Sequence, residues 1–322
     1  MDVQIRRSDG SPADYQTVQR LIDAAQVDSP VSVEELQLRD EARRAAGLVS
    51  ERLFAEVEGR AVGYLGYGHM VMAADCDVFV VGLRVDPAYW GRGIGRTLHQ
   101  AMLAPAAEVG ITRIMAFVDE RQSRGVEFAE AAGYREVGRT WESTINPQRF
   151  ETGSLRSTVD RVTAAGLALE PLAELTSHHP DWIDRLYRLY AAIEADMPFP
   201  IAERPNPFEV FRAEVVDSDL ANPEASFVAV DGDDWVGLTE LRRVTREPSW
   251  LTQELTGVLR SHRRRGIATA LKVEGLGWAK AHGFERLRTW NDSRNPGMLA
   301  VNAGLGMARS HVIVEFLLDL DG

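Results

Sequence analysis

Short apolar runs of strand length alternate with amphipathic stretches of helix length along this chain. Alternating or continuous apolar runs predict strands, whereas apolar positions three and four residues apart predict helices. In the first half, the predicted strands are residues 3–5, 53–57, 61–67, 78–85, 113–118 and 137–143. The predicted helices are residues 12–25, a segment from the capping box of Ser32 and Glu35 to Gly47, and the stretches after strands 78–85 and 113–118. This order predicts an α/β fold with a mixed sheet.

The second half of the chain repeats this order. Its predicted elements are a strand over residues 167–169, a helix over 181–195, a hairpin of 227–230 and 235–241, and a strand ending near Val258. Six pairs of residues lie 173 positions apart: Gly93 and Gly266, Gly95 and Ala268, Leu98 and Leu271, Gly110 and Gly283, Arg113 and Arg286, and Gly133 and Gly306. Chance rarely preserves one spacing at six positions, so we predict two copies of one domain. The predicted copies are residues 1–150 and 151–322, with a polar connecting helix over residues 153–165.

In each copy a strand leads through a short basic turn with glycine into an amphipathic helix. In the second copy three arginines precede Gly266, and small residues there expose backbone N–H groups at the start of the helix. Such N–H groups and the positive end of the helix dipole stabilise an anion. We call these turns the first cradle (residues 92–96) and the second cradle (residues 263–269), and we predict that they are phosphate-binding turns.

The composition limits the kinds of partner. With 322 residues, the chain is long enough for two domains that each bury a core. Its net charge of −12 argues against general nucleic-acid binding, although a local arginine cluster can hold one polyanionic cofactor. The single cysteine, Cys76, excludes an intrachain disulfide, and the pair His178 and His179 predicts a solvated loop rather than a metal site. The sequence has no apolar signal region and no run that could span a bilayer, which predicts a cytoplasmic protein with no membrane partner.

The turn of the second copy resembles the cofactor motif of the GNAT acyltransferase superfamily. In that motif a strand ending in Val is followed by Arg or Gln, two residues, Gly, one residue, and Gly or Ala. Val258 and the run Arg263-Arg264-Arg265-Gly266-Ile267-Ala268 match it fully. Residues 291–307 are similar to the family's second cofactor motif, and the two copies cover nearly the whole chain, as in tandem-GNAT proteins. The resemblance implies two tandem GNAT domains, each with a mixed, mostly antiparallel sheet that contains a splayed parallel strand pair and is flanked by helices.

The GNAT family binds acetyl-CoA with the pyrophosphate at the cradle and the pantetheine arm between the splayed strands, which implies acetyl-CoA as co-substrate and no metal. By this resemblance the arm lies between residues 256–259 and 287–290. Unpaired backbone groups of a splayed pair can bond the pantetheine amides as an added strand would. The implied cofactor-binding residues are Val258, Arg263, Arg264, Arg265, Gly266, Ile267, Ala268, Thr269 and Asn295 in the second copy, and Val85, Arg92, Gly93, Gly95 and Arg96 in the first.

The two copies differ at positions that matter in the family. In the first copy Trp90 stands at the Arg or Gln position, and Ala129 stands where many relatives carry a tyrosine thought to protonate the leaving thiolate. We therefore predict a non-catalytic or degenerate first copy, which either binds CoA without acting or is a scaffold, and a catalytic second copy. In the second copy Asn302 occupies the tyrosine position. Its amide cannot supply a proton, so Asn302 is either a hydrogen-bond donor to the thiolate or an amide that holds the cofactor.

An acceptor amine must lose a proton before it attacks a thioester. Our first candidate for the base is Glu254, on the strand that enters the second cradle, where alternation points either Glu254 or Gln253 toward the acceptor cleft. Glu240 on the preceding strand is the second candidate. In GNAT relatives the region of residues 194–203 lines the acceptor pocket, and its carboxylates are candidates to attract a cationic amine, as is Asp292.

These observations predict an acetyl-CoA-dependent N-acetyltransferase that acts on the primary amine of a small molecule, as a monomer or homodimer. Within enzymes the alternatives are mycothiol synthase-like or antibiotic-modifying specificity, which the sequence does not separate. The alternative of another class is a non-catalytic CoA-binding regulatory protein.

Overall fold

The computed structural model describes residues 2–25, 32–71, 77–199, 201 and 205–320. Their contacts divide the chain into two compact units. The first unit consists mainly of Met1–Gly138 and Ile313–Gly322, and the second mainly of Arg139–Phe199 and Arg204–Val312. The units therefore do not simply follow chain order, because the end of the chain groups with the first unit.

The first unit is a mixed sheet flanked by helices. Its elements are β1 (Gln4–Arg7), α1 (Pro12–Ala24), α2 (Val33–Ala45), β2 (Ser50–Val57), β3 (Arg60–His69), β4 (Val78–Val85), α3 (Ile94–Glu108), β5 (Arg113–Asp119), α4 (Ser123–Ala131) and the start of β6 (Arg135–Ile145). Strands β1 to β4 are antiparallel neighbours, and β4 pairs with β5 in parallel. Apolar side chains of α1 pack on β2 and β3 in a cluster that includes Leu21, Phe54 and Tyr64.

The second unit repeats this plan. Its elements are α5 (Arg156–Ala164), β7 (Leu167–Pro171), α6 (Leu172–His178), α7 (Trp182–Glu194), α8 (Phe208–Phe211), β8 (Phe227–Asp231), β9 (Asp234–Arg243), β10 (Trp250–Val258), α9 (Ile267–Ala281), β11 (Arg286–Asp292) and α10 (Pro296–Gly304). Strands β7 to β10 are antiparallel neighbours, and β10 pairs with β11 in parallel. One apolar cluster includes Leu271 and Leu276 of α9, and another includes Leu186 and Ile193 of α7.

Each unit contains a strand segment that belongs by sequence to the other copy. The last strand, β12 (Ala308–Asp319), lies at the end of the second copy, yet its residues 313–319 pair antiparallel with β5. Likewise, residues 140–145 of β6 lie at the end of the first copy and pair antiparallel with β11. The sequence repeat did not predict this exchange, since the hydrophobic pattern of a strand does not identify its partner strand.

The predicted strands and helices are confirmed, with ends that shift by a few residues. Helix α6 was not predicted, and His178, expected in a loop, is its last residue. The connecting helix is present as α5, but it is not a purely polar connector. Val159 and Val162 are each 2% exposed and join the apolar cluster of α9, so this helix is part of the second unit's core.

Candidate active site

In both units the parallel strand pair separates part-way along. β4 pairs with β5 only over residues 78–81, and β10 pairs with β11 only over residues 250–253. In the second unit a β-bulge between Gln253 and Thr256 shifts the register of β10 against β9 at this same point. The predicted separation of the strands is thus present on β10. On β11 the expected range of residues 287–290 is wrong except for its last residue. Residues 287–289 pair with β10, because β11 is paired from its first residue, and the open stretch is residues 290–292.

The second cradle is a tight turn held by its own backbone and side chains. Gly266 has a left-handed backbone with φ of +84° and caps the N-terminus of α9. The Nε group of Arg263 donates to the carbonyl oxygen of Val258 at 2.9 Å, which ties the turn to the last residue of β10. The first N–H groups of α9 have no partner within the helix and point out of this turn. The turn therefore presents backbone donors and arginine side chains to one side, as an anion site requires.

The first cradle has the same geometry despite its different side chain. Gly93 caps α3 with φ of +80°. The indole Nε1 of Trp90 donates to the carbonyl oxygen of Val85 at 2.8 Å. Trp90 and Val85 lie 173 residues before Arg263 and Val258, so the tryptophan makes the bond that the arginine makes in the second copy. The departure at Trp90 removes a positive charge but leaves the turn intact.

Helix α5 distinguishes the surroundings of the two cradles. A Cβ atom added to Gly266 would lie 2.9 Å from Cγ2 of Thr158 and 3.2 Å from Nη2 of Arg161, whereas one added to Gly93 would meet nothing within 4 Å. A cavity of about 330 Å³ lies beside the second cradle, and its lining includes Arg161, Arg264 and Arg265. Three guanidinium groups at a helix N-terminus fit a polyanion such as the phosphates of CoA. Sequence reasoning missed Arg161, because α5 was interpreted as a connector.

The other residues implied for cofactor binding differ in how exposed their side chains are and in what they contact. Arg263, Arg264 and Arg265 are exposed, Ala268 and Thr269 are half-buried, and Ile267 is buried in the core. Asn295 caps α10, where its Oδ1 accepts from the N–H of Met298 at 3.1 Å. In the first unit Arg96 is exposed, the guanidinium of Arg92 lies over the ring of Tyr89, and Gly95 faces Phe128.

Asn302 lies inside a buried polar network that the sequence did not predict. It is 1% exposed, its Oδ1 accepts from Nζ of Lys272 at 2.9 Å, and its Nδ2 donates to Oδ1 of Asn291 at 2.5 Å. Lys272 is itself 1% exposed and also donates to Oε1 of Gln253 at 2.7 Å. Gln253 therefore points toward α9 and not toward an acceptor cleft. The available signal was a lysine in the middle of α9, at position 272 between the apolar residues Leu271 and Val273.

The two candidate bases occupy different environments. Glu254 is exposed and lies at the bulge where β10 leaves β11. Glu240 is 5% exposed, and its carboxylate accepts from the hydroxyl of Tyr190 at 3.0 Å and from Nε of Arg242 at 2.5 Å. A buried carboxylate that already accepts from two partners has few free acceptor positions. Glu254 is therefore the more accessible of the two.

A second cavity, of about 220 Å³, lies beside Glu240 in the second unit. Its lining is mostly apolar and includes Leu172, Trp182, Leu186 and Leu238. Pockets for small molecules commonly combine such apolar walls with a few polar groups.

The carboxylates expected to attract an amine are mostly engaged within the protein. Glu194 accepts from the backbone N–H and the Nδ2 of Asn206, at 3.2 and 2.7 Å. Asp196 forms ion pairs with Arg260 and Arg263, which joins the end of α7 to the second cradle. Asp292 accepts from the backbone N–H and the Nε of Arg294, at 2.6 and 2.8 Å. Glu203, the other carboxylate of the predicted loop, lies outside the described residues.

Glu194 gives the stability of the protein a pH dependence that a glutamine should remove. Burial raises the pKa of Glu194 from its ordinary 4.5 to about 7, the charges of Glu240 and Glu214 add to this, and the bonds from Asn206 oppose it. Ionisation is thus penalised in the folded state, so the free energy of unfolding falls as the pH rises between these two values. The shift corresponds to about 3 kcal/mol. We expect Glu194→Gln to change stability little near pH 4 and to raise it by up to about 3 kcal/mol near pH 8, measured by urea unfolding.

Glu174→Gln is the control, because Glu174 is an exposed glutamate of the same unit. It should leave the pH dependence of unfolding as it is in the wild type. The same dependence in Glu194→Gln as in the wild type would contradict the assignment of the raised pKa to Glu194.

Two copies of one α/β fold, each with a splayed parallel pair and a glycine-capped cradle, define a tandem acyltransferase architecture. The model of the acetyltransferase (GNAT) family matches residues 18–134 and 186–306. The chain belongs to the acetyltransferase (GNAT) family, which uses acetyl-CoA. Both predictions, a tandem-GNAT chain and this fold class, are confirmed.

Solved structures share this architecture over nearly the whole chain. A tandem GNAT protein from the clavulanic acid biosynthesis pathway is 19% identical with a TM-score of 0.73, covering 99% of both chains. A GCN5-related N-acetyltransferase from Sphaerobacter thermophilus is 20% identical with a TM-score of 0.68, covering 99% of this chain and 96% of that one. At these identities the likeness shows the fold. No curated protein matches the chain in a sequence comparison.

Across the described parts of the chain, no group of three His, Cys, Asp or Glu side chains has the arrangement to hold a metal ion. Within the same residues no helix has both the length and the apolar character needed to cross a membrane.

Proposed function

We propose that this protein is an acetyl-CoA-dependent N-acetyltransferase for the primary amine of a small molecule, with the acting site in the second unit. The observation that carries the proposal is the open end of the pair β10 and β11, with the second cradle directly after β10. Backbone groups on the two separated strands face a gap that an extended arm with amide groups can fill. The cradle then lies at the open end of the gap, where the phosphates of the same molecule would bind.

Side chains support the choice of the second copy. The residues 173 positions before Glu254 and Asn302 are Val81 and Ala129, which have no proton donor or acceptor in their side chains. The position of Arg263 is taken by the uncharged Trp90. We therefore propose that the first copy is a non-catalytic domain.

Glu254 is the proposed general base. A primary amine has a pKa near 10, so it is mostly an ammonium ion at neutral pH and must lose a proton before it attacks. Glu254 is exposed beside the gap, and it takes this proton directly or through one water. Acetyl-CoA supplies the activated acetyl thioester. Asn302 is proposed to donate a hydrogen bond from Nδ2 toward the gap, while Arg161, Arg264 and Arg265 hold the phosphates.

The acceptor is proposed to be a small cationic amine. Glu240 and Glu254 lie on neighbouring strands, and both act electrostatically on the hydroxyl of Tyr190. Because Glu240 is paired with Arg242, the exposed carboxylate of Glu254 is the negative charge that attracts an ammonium ion and raises its local concentration. The nearby cavity of about 220 Å³ has room for a small molecule with an apolar part.

The direct test is acetyl transfer from acetyl-CoA to a panel of small primary amines, with matched alcohols as controls. We expect release of free CoA thiol that depends on the amine, and an acetamide product identified by mass spectrometry. Acetylation of the alcohols alone would show that the acceptor atom is oxygen and not nitrogen. Binding of acetyl-CoA without transfer to any amine would instead support a non-catalytic CoA-binding protein.

A further inference from the structure

A buried lysine lies at the point where the two strands of the proposed site separate. Lys272 is on α9, is 1% exposed, and donates to Oε1 of Gln253 and Oδ1 of Asn302. Gln253 is the last residue of β10 that pairs with β11. An ammonium group has three N–H donors, so these two bonds leave one of them for another acceptor.

The ammonium group fixes the orientation of both amides. Because it can only donate, the oxygens of Gln253 and Asn302 turn toward it and their NH₂ groups turn away. The Nε2 of Gln253 donates to Oγ1 of Thr239 at 2.8 Å, and the Nδ2 of Asn302 donates to Oδ1 of Asn291 at 2.5 Å. Asn291 belongs to the open stretch of β11. The network therefore connects both strands across the apex of the gap.

The groups that face Lys272 are neutral. The side chains of β9, β10, β11 and α10 that join the network are Thr239, Thr256, Gln253, Asn291 and Asn302. Burial lowers the pKa of Lys272 from its ordinary 10.5 to about 7. A buried cation among neutral partners is stabilised when an anion forms beside it, since Coulomb interactions are strong where water is excluded.

We propose that Lys272 is a positioning residue for acetyl transfer, which orients Asn302 and stabilises the departing CoA thiolate at the apex of the gap. This inference rests on the proposed function. In the transfer the amine nitrogen bonds to the acetyl carbon, the C–S bond breaks, and its electron pair stays on sulfur. The ammonium ion gives one proton to Glu254 before the attack, and Glu254 releases it to solvent. The second proton leaves the nitrogen after the attack and goes to Glu254 in turn. No proton goes to sulfur, which therefore leaves as a thiolate. The charge of Lys272 and the second N–H of the Asn302 amide, the one that does not bond Asn291, stabilise that anion.

The first copy offers a matched control at the same position. His99 lies 173 residues before Lys272 and is also buried, with its Nε2 3.0 Å from the hydroxyl of Tyr134. In that copy Val80 and Ala129 replace Gln253 and Asn302. His99 therefore cannot form the same network, and His99→Met alters a buried titratable residue without altering the network.

The experiment is a pH titration of free CoA bound to the full-length protein, following the ultraviolet absorbance of the thiolate. In the wild type we expect the pKa of the bound thiol to fall about two units below the ordinary value near 8.5, a hundredfold change in ionisation. The thiolate then forms while Lys272, with a pKa of about 7, still carries its charge. Lys272→Met should return it to the value of CoA in solution, and His99→Met should leave it lowered. Lys272→Gln replaces the ammonium group by an uncharged amide that can still donate a hydrogen bond. It should therefore behave as Lys272→Met does.

Calorimetric titration of CoA into the wild type and each variant tests the proposed function separately from the role of Lys272. A wild type that binds no CoA overturns both the proposed function and this inference. A wild type that binds CoA with an unshifted thiol overturns this inference alone. The same conclusion follows if both Lys272 variants bind CoA and keep the lowered pKa, or if His99→Met abolishes it.

Discussion

Glu254→Gln is expected to lower kcat for amine acetylation by about 10² to 10⁴, the usual contribution of a positioned general base. Glutamine has nearly the same size but cannot take a proton from the ammonium ion. Glu254 is exposed and makes no buried ion pair, so the variant should melt at the wild-type temperature and bind acetyl-CoA with unchanged affinity. The measurement is steady-state thiol release with a saturating amine, together with calorimetric binding of acetyl-CoA.

Two variants make this result specific. Glu285→Gln replaces another exposed glutamate of the second unit and should retain full activity. Glu240→Gln breaks a buried contact with Arg242 and Tyr190, so it should lower the melting temperature, which Glu254→Gln should not do. Full activity in a folded Glu254→Gln protein would show that another group accepts the proton.

The local elements and the cradles could be predicted from the sequence because their signals are short-range. Gly93 and Gly266 mark turns that need a left-handed backbone. They lie 173 residues apart, and the same spacing in other residue pairs identified the repeat. The bond from Trp90 to the carbonyl oxygen of Val85 had no such signal. From the sequence, a tryptophan in place of an arginine indicates the loss of the motif's side chain. Only the folded turn shows that both side chains donate to the equivalent carbonyl oxygen in their own copy.

The rest depends on contacts between residues that are distant in sequence. Arg161 was assigned to a connector, and only the packing of α5 brings it within reach of Gly266. Lys272 would be expected on a surface, because lysine is rarely buried without a charged partner. Its burial depends on amides from β10 and α10 that converge on one point. The pairing of β12 with β5 likewise joins segments about two hundred residues apart.

Gly266→Glu is expected to abolish turnover and to weaken acetyl-CoA binding at the second cradle by at least about a hundredfold, whereas Gly93→Glu should leave turnover largely unchanged. A carboxylate at the helix N-terminus occupies the anion position and repels phosphate, and each charge-assisted hydrogen bond lost there is worth about 1.5–3 kcal/mol. The left-handed backbone strains either substitution by a further 1–2 kcal/mol or so. The two variants are matched in chemistry and backbone, so they differ mainly in which copy they affect.

The surroundings of the two glycines require one more control. Because a Cβ atom at Gly266 would lie 2.9 Å from Cγ2 of Thr158, Gly266→Glu also crowds α5, whereas a Cβ atom at Gly93 would meet nothing within 4 Å. Thr158→Ala removes that methyl group, so the double variant Thr158→Ala with Gly266→Glu tests anion exclusion without this clash. Thr158→Ala alone should bind acetyl-CoA and turn over. Calorimetric stoichiometry then decides the role of the first copy: two sites falling to one in the double variant indicate that both cradles bind, and one falling to none indicates a scaffold. Loss of turnover in a folded Gly93→Glu protein would instead move the acting site to the first copy.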